Sequence, residues 1–186
     1  MRIITGEAKG HRLKSIKKSS TRPTTEMVRA AIFSMLEPLV DNWSSVLDLY
    51  AGSGALGIEA LSRGAEWVDF VEQKEKCCAT IWENLKRTGF ESQARVHCSK
   101  AHKALSWLKR EYNVVLLDPP YSIPSLEDIL EKLCQSGVVG ARSTIVVQHS
   151  RHQLLPPSIE GFTLVKERRY GDTCVSIYQR GGALCS

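Results

Sequence analysis

The sequence lacks the features of a membrane-spanning or exported chain. No stretch approaches the roughly 18 uninterrupted apolar residues that a membrane helix needs. Residues 1–6 contain no apolar run of the kind found in a signal peptide. The apolar fraction of 42% and the charged fraction of 24% are ordinary for a globular protein, so disorder is not favoured. We expect a cytoplasmic protein, and a chain of 186 residues is long enough for a single domain with one core.

The sequence also lacks a disulfide framework and a metal-binding motif. Its six cysteines include no C-x-x-C pair, and none of its five histidines lies at zinc-like spacing from a cysteine. We therefore expect reduced thiols that pack as small apolar side chains, and no metal.

Positive charge is concentrated at the amino terminus, although the net charge of the chain is only +5. Residues 1–22 carry a net charge of +6, and the remaining 164 residues balance at −1. This asymmetry indicates that the first segment contacts a polyanion. Apolar residues such as Ile3 and Leu13 alternate with the charges, and Gly6 and Gly10 lie between them. We therefore predict an ordered basic β-hairpin over residues 1–22 rather than a flexible arm.

Residues 23–183 have the pattern of one α/β domain. Apolar residues at three- and four-residue spacing predict a leader helix, after which short apolar strands alternate with helical segments. This alternation implies right-handed crossovers and a parallel sheet. A short turn that contains residues 170–172 separates the last two strands, so those strands are predicted to form an antiparallel hairpin. The predicted fold is a doubly wound, mostly parallel, seven-stranded Rossmann-like sheet. Its strands are predicted at residues 46–50, 67–72, 95–98, 114–117, 144–148, 162–168 and 175–179.

A glycine-rich loop joins the first predicted strand to its helix. Gly52, Gly54 and Gly57 match G-x-G-x-x-G, and Glu72 follows Gly52 by twenty residues at the end of the next strand. In nucleotide-binding sheets the glycines admit a close backbone approach, and the acid accepts hydrogen bonds from ribose hydroxyls. The loop fits NAD and S-adenosylmethionine equally well, because both contain a ribose. An NAD enzyme usually needs a second domain, however, and only the hairpin follows the fifth strand.

The strand at residues 114–117 runs directly into Asp118, Pro119, Pro120 and Tyr121. A short, wholly apolar strand is typical of the centre of a parallel sheet, so Asp118 should lie at the ligand-binding carboxyl edge. The Asp118 carboxylate and the Pro119 carbonyl can accept hydrogen bonds from an amine and turn its lone pair towards a methyl donor. Tyr121 offers a face on which an unstacked base can lie. This tip predicts amine methylation.

The motifs resemble those of a known enzyme family. The D-P-P-Y tip is similar to the (N/D)-P-P-(Y/F/W) motif of class I amino-methyltransferases that act on nucleic-acid bases or glutamine amides. The chain to about residue 180 resembles the RsmD family, bacterial methyltransferases of the guanine N2 amine in small-subunit (16S) ribosomal RNA. The resemblance includes G-E-A-K-G-H-R-L at residues 6–13, R-P-T-T at residues 22–25 with Val28 and Arg29, and the run of residues 48–65 that contains the glycine loop.

The resemblance implies S-adenosylmethionine as the cofactor and ribosomal RNA as the partner, either naked or within an assembling 30S subunit. The catalytic residues that it implies are Asp118, Pro119, Pro120 and Tyr121. The expected cofactor-binding residues are Asp48, Tyr50, Ala51, Gly52, Ser53, Gly54, Gly57, Glu72, Gln73, Lys100, Ala101 and Asp118. The expected RNA-binding residues are Arg2, Lys9, His11, Arg12, Lys14, Arg22, Thr24 and Arg29, of which the cations would contact phosphates.

The chain departs from the family pattern at two places. Class I enzymes often have Asp or Asn beside the adenine, whereas this chain has Ser99 and Lys100, so backbone groups at Lys100 and Ala101 are expected to recognise the base. Gln148 and His149 follow the fifth strand, where the family commonly has an acid. Methylation of adenine N6 in DNA or of a protein glutamine, NAD-dependent oxidoreduction and non-catalytic RNA binding remain alternatives.

Overall fold

A computed structural model describes residues 1–16, 26–121, 123 and 125–181. Its helices are α1 (Glu26–Leu36), α2 (Ala55–Ser62), α3 (Glu75–Thr88), α4 (Ala101–Trp107) and α5 (Leu126–Gln135). Its strands are β1 (Ser45–Leu49), β2 (Trp67–Glu72), β3 (Ala94–Cys98), β4 (Val114–Leu117), β5 (Thr144–Ser150), β6 (Ser158–Ile159), β7 (Phe162–Tyr170) and β8 (Thr173–Arg180).

The eight strands form one mixed sheet in the order β3-β2-β1-β4-β5-β8-β7-β6. The first five strands are parallel, and β8 and β7 continue the sheet in antiparallel pairing. The strand order reverses between β1 and β4, which are neighbours although β2 and β3 lie between them in sequence. Such a reversal leaves a crevice outside the carboxyl ends of the two strands, where open α/β sheets bind ligands.

The prediction of seven strands is wrong, because the sheet has eight. The additional strand is β6, in which Ser158 pairs with Thr163 and Ile159 pairs with Phe162. A strand of two residues is too short to show an alternating pattern, so the sequence contained no periodic signal for it.

Helices cover both faces of the sheet. Alternate residues of β1 serve different faces: Val46 packs in the cluster formed with α1, α2 and α3, and Leu47 packs in the cluster formed with α4 and α5. All five residues of β1 and all four residues of β4 are buried. Burial on two sides explains why β4 is a continuous apolar run rather than an alternating one.

The amino-terminal segment folds back on itself and packs against the domain. A single antiparallel bridge joins Arg2 to Arg12, and the Ile3 N–H donates to the His11 carbonyl at 3.0 Å. Ile3 and Leu13 are buried in the same cluster as α1 to α3. These two apolar side chains anchor the segment to the domain. Residues 17–22 of the predicted extension, and residues 182 and 183 of the predicted domain, lie outside the described residues, and the domain boundaries stay predictions.

The described ranges contain neither a membrane-spanning helix nor a metal-binding cluster. No helix there is long and apolar enough to cross a membrane. Within the same ranges, no group of three or more His, Cys, Asp and Glu side chains could hold a metal ion, and the five cysteines form no disulfide with one another.

Candidate active site

The predicted cofactor and catalytic residues meet at the carboxyl edge of the sheet. Leu49, the last residue of β1, pairs with Val71 of β2 on one side and with Leu117 of β4 on the other. The segments that follow these three strands therefore emerge next to one another. The Asp118 N–H donates to the Leu49 carbonyl at 3.4 Å, so the D-P-P-Y tip begins beside the glycine loop.

The glycine loop is held by the acid that was predicted to bind ribose. One oxygen of Glu72, Oε2, accepts from the Gly52 N–H at 3.0 Å, and the other, Oε1, accepts from the Lys74 N–H at 2.9 Å. Tyr50 and Gly52 both have positive φ, 62° and 58°. A tyrosine in this left-handed region is strained, and such strain is retained where the surrounding structure imposes it. Glu72 thus shapes the loop, a role that sequence reasoning missed.

The third glycine of the motif is required by packing. A Cβ atom on Gly57 would lie 2.3 Å from the Phe70 ring and 3.0 Å from Asp48 Oδ2. The Gly57 N–H donates to that same Asp48 oxygen at 2.9 Å. Because it has no side chain, Gly57 lets α2 pack close to the sheet, and its N–H fixes the Asp48 carboxylate. The close approach of its backbone is therefore to a carboxylate of the protein itself.

Asp48 is a buried acid with one oxygen still able to accept a hydrogen bond. Its carboxyl is 1% exposed, and Oδ1 has no hydrogen-bond partner among the described residues. Burial, together with the nearby carboxylates of Asp118 and Glu72, raises the pKa of Asp48 to about 8, against the opposing effect of the hydrogen bond from Gly57. A positive charge placed beside these three carboxylates would favour the ionised form of Asp48.

A cavity of about 150 Å³ opens beside the loop. It is lined by Tyr50, Val71, Glu72, Gln73, Ser99, Lys100, Ala101 and His102. The Lys100 carbonyl accepts from the N–H groups of Lys103 and Ala104 at the start of α4. The backbone here can therefore offer a ligand N–H groups rather than this carbonyl. His102 was not predicted, because an exposed histidine in the first turn of a helix has no distinguishing pattern.

The D-P-P-Y tip is a rigid turn with its ring anchored. Pro119 is buried, and the Pro120 carbonyl accepts from the Ile123 N–H at 2.9 Å, which closes the turn. The Tyr121 side chain is 42% exposed, and its hydroxyl is 2.6 Å from Thr173 Oγ1 at the start of β8. Pro120 therefore shapes the tip, while the Tyr121 ring keeps an accessible face.

Most of the predicted RNA-binding residues lie on the surface of the amino-terminal segment. The exposed ones are Arg2, Lys9, His11, Arg12 and Lys14. Lys14 Nζ is 2.7 Å from Glu83 Oε2, an ion pair on the surface. Arg22 and Thr24 lie outside the described residues, so their assignment stays a prediction.

Arg29 corrects the prediction made for it, because it is fully buried and cannot contact RNA in this fold. Its guanidinium donates to the Arg2 carbonyl, and its Nε lies 3.6 Å from Glu59 Oε2. Desolvation lowers the pKa of Arg29, and the nearby Glu59 and Glu26 carboxylates oppose that shift. The Arg29 side chain therefore lies under the amino-terminal segment and donates a hydrogen bond to it. The helical spacing of the apolar residues did not predict this burial.

Glu59 and Asn84 fasten the basic segment to the site, and sequence reasoning missed both. Glu59 of α2 accepts from the Ile4 and Thr5 N–H groups at 2.9 and 3.1 Å. Asn84 Nδ2 donates to the Lys14 carbonyl at 3.0 Å and to the Ser53 carbonyl at 2.9 Å. One side chain therefore joins the basic segment to the glycine loop. An acid in the apolar run of α2 was an available signal for Glu59, but Asn84 had none.

Known proteins match this chain along nearly its whole length. A family model described as "Conserved hypothetical protein 95" matches residues 1–179. The YlbH protein of Bacillus subtilis is 39% identical over 185 residues, covering 98% of this chain and 100% of its own. Ribosomal RNA small subunit methyltransferase D of Escherichia coli K12 is 33% identical over 180 residues, covering 97% and 90%. The chain belongs to the RsmD family.

The fold of this RsmD-family chain is shared with solved structures. The yhhF protein of Escherichia coli superposes with a TM-score of 0.85 at 32% identity, over 97% of both chains. A protein of Thermus thermophilus superposes with a TM-score of 0.83 at 31% identity, over 96% of this chain and 99% of its own. The predicted α/β methyltransferase fold and the predicted family are therefore confirmed.

Proposed function

We propose that this chain is an S-adenosylmethionine-dependent methyltransferase that acts on the exocyclic N2 amine of a guanine in small-subunit ribosomal RNA. The observation that carries the proposal is the position of Asp118 and Pro119, next to the glycine loop at the carboxyl edge of an RsmD-family fold. The relative from Escherichia coli is named a ribosomal RNA small subunit methyltransferase. With that substrate the protein acts in the cytoplasm.

The residues at the carboxyl edge suit a cationic cofactor that contains a ribose. Each Glu72 oxygen accepts one backbone hydrogen bond, so each keeps a lone pair for a ribose hydroxyl. Asp48, whose buried Oδ1 has no hydrogen-bond partner among the described residues, and Asp118 are the carboxylates that would lie beside a sulfonium. Gln73 and the N–H of Ala101 line the part of the cavity where an adenine would lie. S-adenosylmethionine supplies an electrophilic methyl group, and the residues of the protein must activate the amine that receives it.

The amine of guanine is a weak nucleophile, and the protein must make it reactive. The N2 lone pair of guanine is conjugated with the ring, so the nitrogen must become tetrahedral before it attacks. The Asp118 carboxylate and the Pro119 carbonyl, held on a rigid turn, accept the two N–H bonds and orient the lone pair. The same acceptors stabilise the positive charge that develops on nitrogen. Tyr121, anchored through Thr173, supports the unstacked base.

The exposed cations of residues 1–14 supply the RNA contact. Glu59 and Asn84 hold this segment against α2 and the glycine loop, so phosphates bound there lie next to the site. Contacts of this kind give affinity that falls with salt and carry little sequence information. Selection of the target base is therefore left to the carboxyl edge.

The test is transfer of labelled methyl from S-adenosylmethionine to naked 16S rRNA and to 30S particles, followed by nucleoside analysis. We expect N2-methylguanosine as the labelled product. Asp118→Ala should abolish turnover, while calorimetry still detects S-adenosylhomocysteine binding and no NAD binding. Label in adenosine or in protein would contradict the proposed substrate, and NAD binding would favour an oxidoreductase.

A further inference from the structure

A second cavity lies beside the edge strand β3 and is separate from the carboxyl-edge cavity. It has a volume of about 350 Å³, and its walls include Trp67, Arg95, His97, Trp107, Lys109 and Arg110. It opens between the edge strand β3 and the segment that joins α4 to β4. Trp67, at one end of the cavity, is the first residue of β2 and lies about 16 Å along the strand from Glu72, whereas His97 pairs with Val71, which lines the carboxyl-edge cavity. The two cavities share no lining residue.

The floor of this cavity is built around one buried carboxylate. Asp69 accepts from the Trp67 indole Nε1–H at 2.7 Å and from the Tyr112 hydroxyl at 2.8 Å, and its other oxygen lies 2.7 Å from His97 Nε2. Burial alone would raise the pKa of Asp69, but the hydrogen bonds from His97, Tyr112 and Trp67 hold it below its ordinary value. The three donors engage the negative charge of Asp69, and Asp69 in turn fixes the orientation of the three rings.

The rim of the cavity has unneutralised positive charge. Arg95, Lys109 and Arg110 are exposed, and none of them forms an ion pair with an acid in the described ranges. The Arg110 guanidinium lies 5.0 Å from the centre of the Trp67 ring. Three cations thus surround an opening whose only acidic lining residue already accepts three hydrogen bonds.

The indole ring of Trp107 lies at the same rim. Trp107 is 42% exposed, and its ring meets His97 edge to face at a centroid distance of 5.0 Å. The ring is therefore held in place while much of its surface remains accessible. An accessible, oriented indole is a platform on which a nucleobase can stack.

We propose that this cavity binds a nucleotide unit, with the base against Trp107 and the phosphate between Arg95 and Lys109. The combination of an indole and unpaired cations matches a ligand that is both aromatic and anionic, and the volume lies within the range of small-molecule sites. A free mononucleotide and a nucleotide within single-stranded RNA share this chemistry. The inference goes beyond methyl transfer and does not depend on which base is methylated.

Substitution of the indole gives the first test. Trp107→Ala is compared with Trp82→Ala, because Trp82 on α3 is similarly exposed, at 39%, and does not line the cavity. Binding of a labelled eight-nucleotide single-stranded RNA is measured by fluorescence anisotropy in the presence of S-adenosylhomocysteine. We expect Trp107→Ala to weaken binding about tenfold, the effect of removing one stacked base from its platform, and Trp82→Ala to leave it unchanged.

Removal of charge gives a second test that does not disturb the aromatic floor. The double variant Arg95→Ser/Lys109→Ser is compared with Lys86→Ser/Arg87→Ser, which removes two exposed cations from the end of α3. We expect only the first pair to lower the slope of log affinity against log salt, by about 0.7 for each phosphate that the variant no longer binds.

Titration with adenosine monophosphate distinguishes the two sources of the ligand. If Trp107→Ala weakens the binding of adenosine monophosphate, the ligand is a free nucleotide. If the substitution weakens only the binding of the oligonucleotide, the ligand is an RNA strand. The proposal is overturned if Trp107→Ala and Arg95→Ser/Lys109→Ser match their controls with both probes. Unchanged thermal unfolding and unchanged affinity for S-adenosylhomocysteine show that the variants fold. Methyl transfer at saturating rRNA should persist in the variants, so failure here is separate from failure of the proposed function.

Discussion

Replacement of Glu59 by Gln should destabilise the protein strongly, because this one carboxylate neutralises and orders several buried groups. It accepts from the Ile4 and Thr5 N–H groups and from Arg63 Nε, and it is the nearest acid to the buried guanidinium of Arg29. Glutamine keeps one acceptor oxygen, turns an NH₂ group towards other donors, and leaves Glu26 as the remaining nearby carboxylate for Arg29. Breaking a buried ion pair in this way costs about 3–5 kcal/mol.

The converse substitution, Arg29→Met, should cost much less. Arg29 Nε and Nη1 make no hydrogen bonds, and Glu59 keeps Arg63 as a partner when Arg29 is removed. We expect a loss below about 2 kcal/mol, because an apolar side chain of similar length avoids the desolvation of a charge. The asymmetry between the two partners is the specific consequence of this geometry.

Urea unfolding followed by circular dichroism measures both losses. With a slope of about 3 kcal/mol per molar, Glu59→Gln should lower the midpoint by roughly 1–1.7 M and Arg29→Met by less than about 0.7 M. Glu66→Gln, on the exposed turn after α2, is the matched control and should leave the midpoint unchanged. Equal losses for the two partners, or a loss below about 1 kcal/mol for Glu59→Gln, would refute the reasoning.

Three further predictions concern the site. Thr173→Val removes the partner of the Tyr121 hydroxyl and should lower the single-turnover methylation rate about two- to tenfold, with unchanged affinity for S-adenosylhomocysteine; an unchanged rate would show that the ring needs no anchor. The pKa of Asp48 is about 4 in the unfolded chain and about 8 in the folded protein, so the folded state loses stability as this carboxyl ionises. The unliganded wild type should therefore lose thermal stability relative to Asp48→Asn as pH rises from about 4 to about 8. Parallel plots of melting temperature against pH for the two proteins would contradict this. Gly57→Ala should lower the melting temperature by several degrees, since its methyl group would clash with a buried ring of β2, whereas Gly137→Ala, where nothing lies within 4 Å of the added Cβ, should not.

The fold could be predicted wherever burial imposed a pattern on the sequence. The limits of β2 and β4 were predicted to the residue. For β4 the reason is that a strand covered on both faces is a continuous apolar run bounded by turns. The strand β6 was missed because its two residues are too few to show a period. Parallel topology also predicted that Glu72 and Asp118 lie at one edge, since the carboxyl ends of parallel strands share an edge.

The supporting contacts could not be predicted in the same way. Glu59 and Asn84 bind segments that are 55 and 70 residues away in sequence, and no local spacing encodes such contacts. The Arg29 prediction failed because an arginine in an amphipathic helix is ordinarily exposed, whereas here the amino-terminal segment covers it. The second cavity likewise depends on Trp67, Asp69 and His97 meeting across neighbouring strands.

The central claim is that the D-P-P-Y tip methylates guanine N2 in small-subunit rRNA. The most direct test is mass spectrometry of nucleosides from 16S rRNA of cells that lack this protein, compared with cells complemented by the wild type or by Asp118→Ala. We predict that one N2-methylguanosine is absent from the deletion strain, returns with the wild type and stays absent with Asp118→Ala. An unchanged N2-methylguanosine content, or restoration by Asp118→Ala, would contradict the claim.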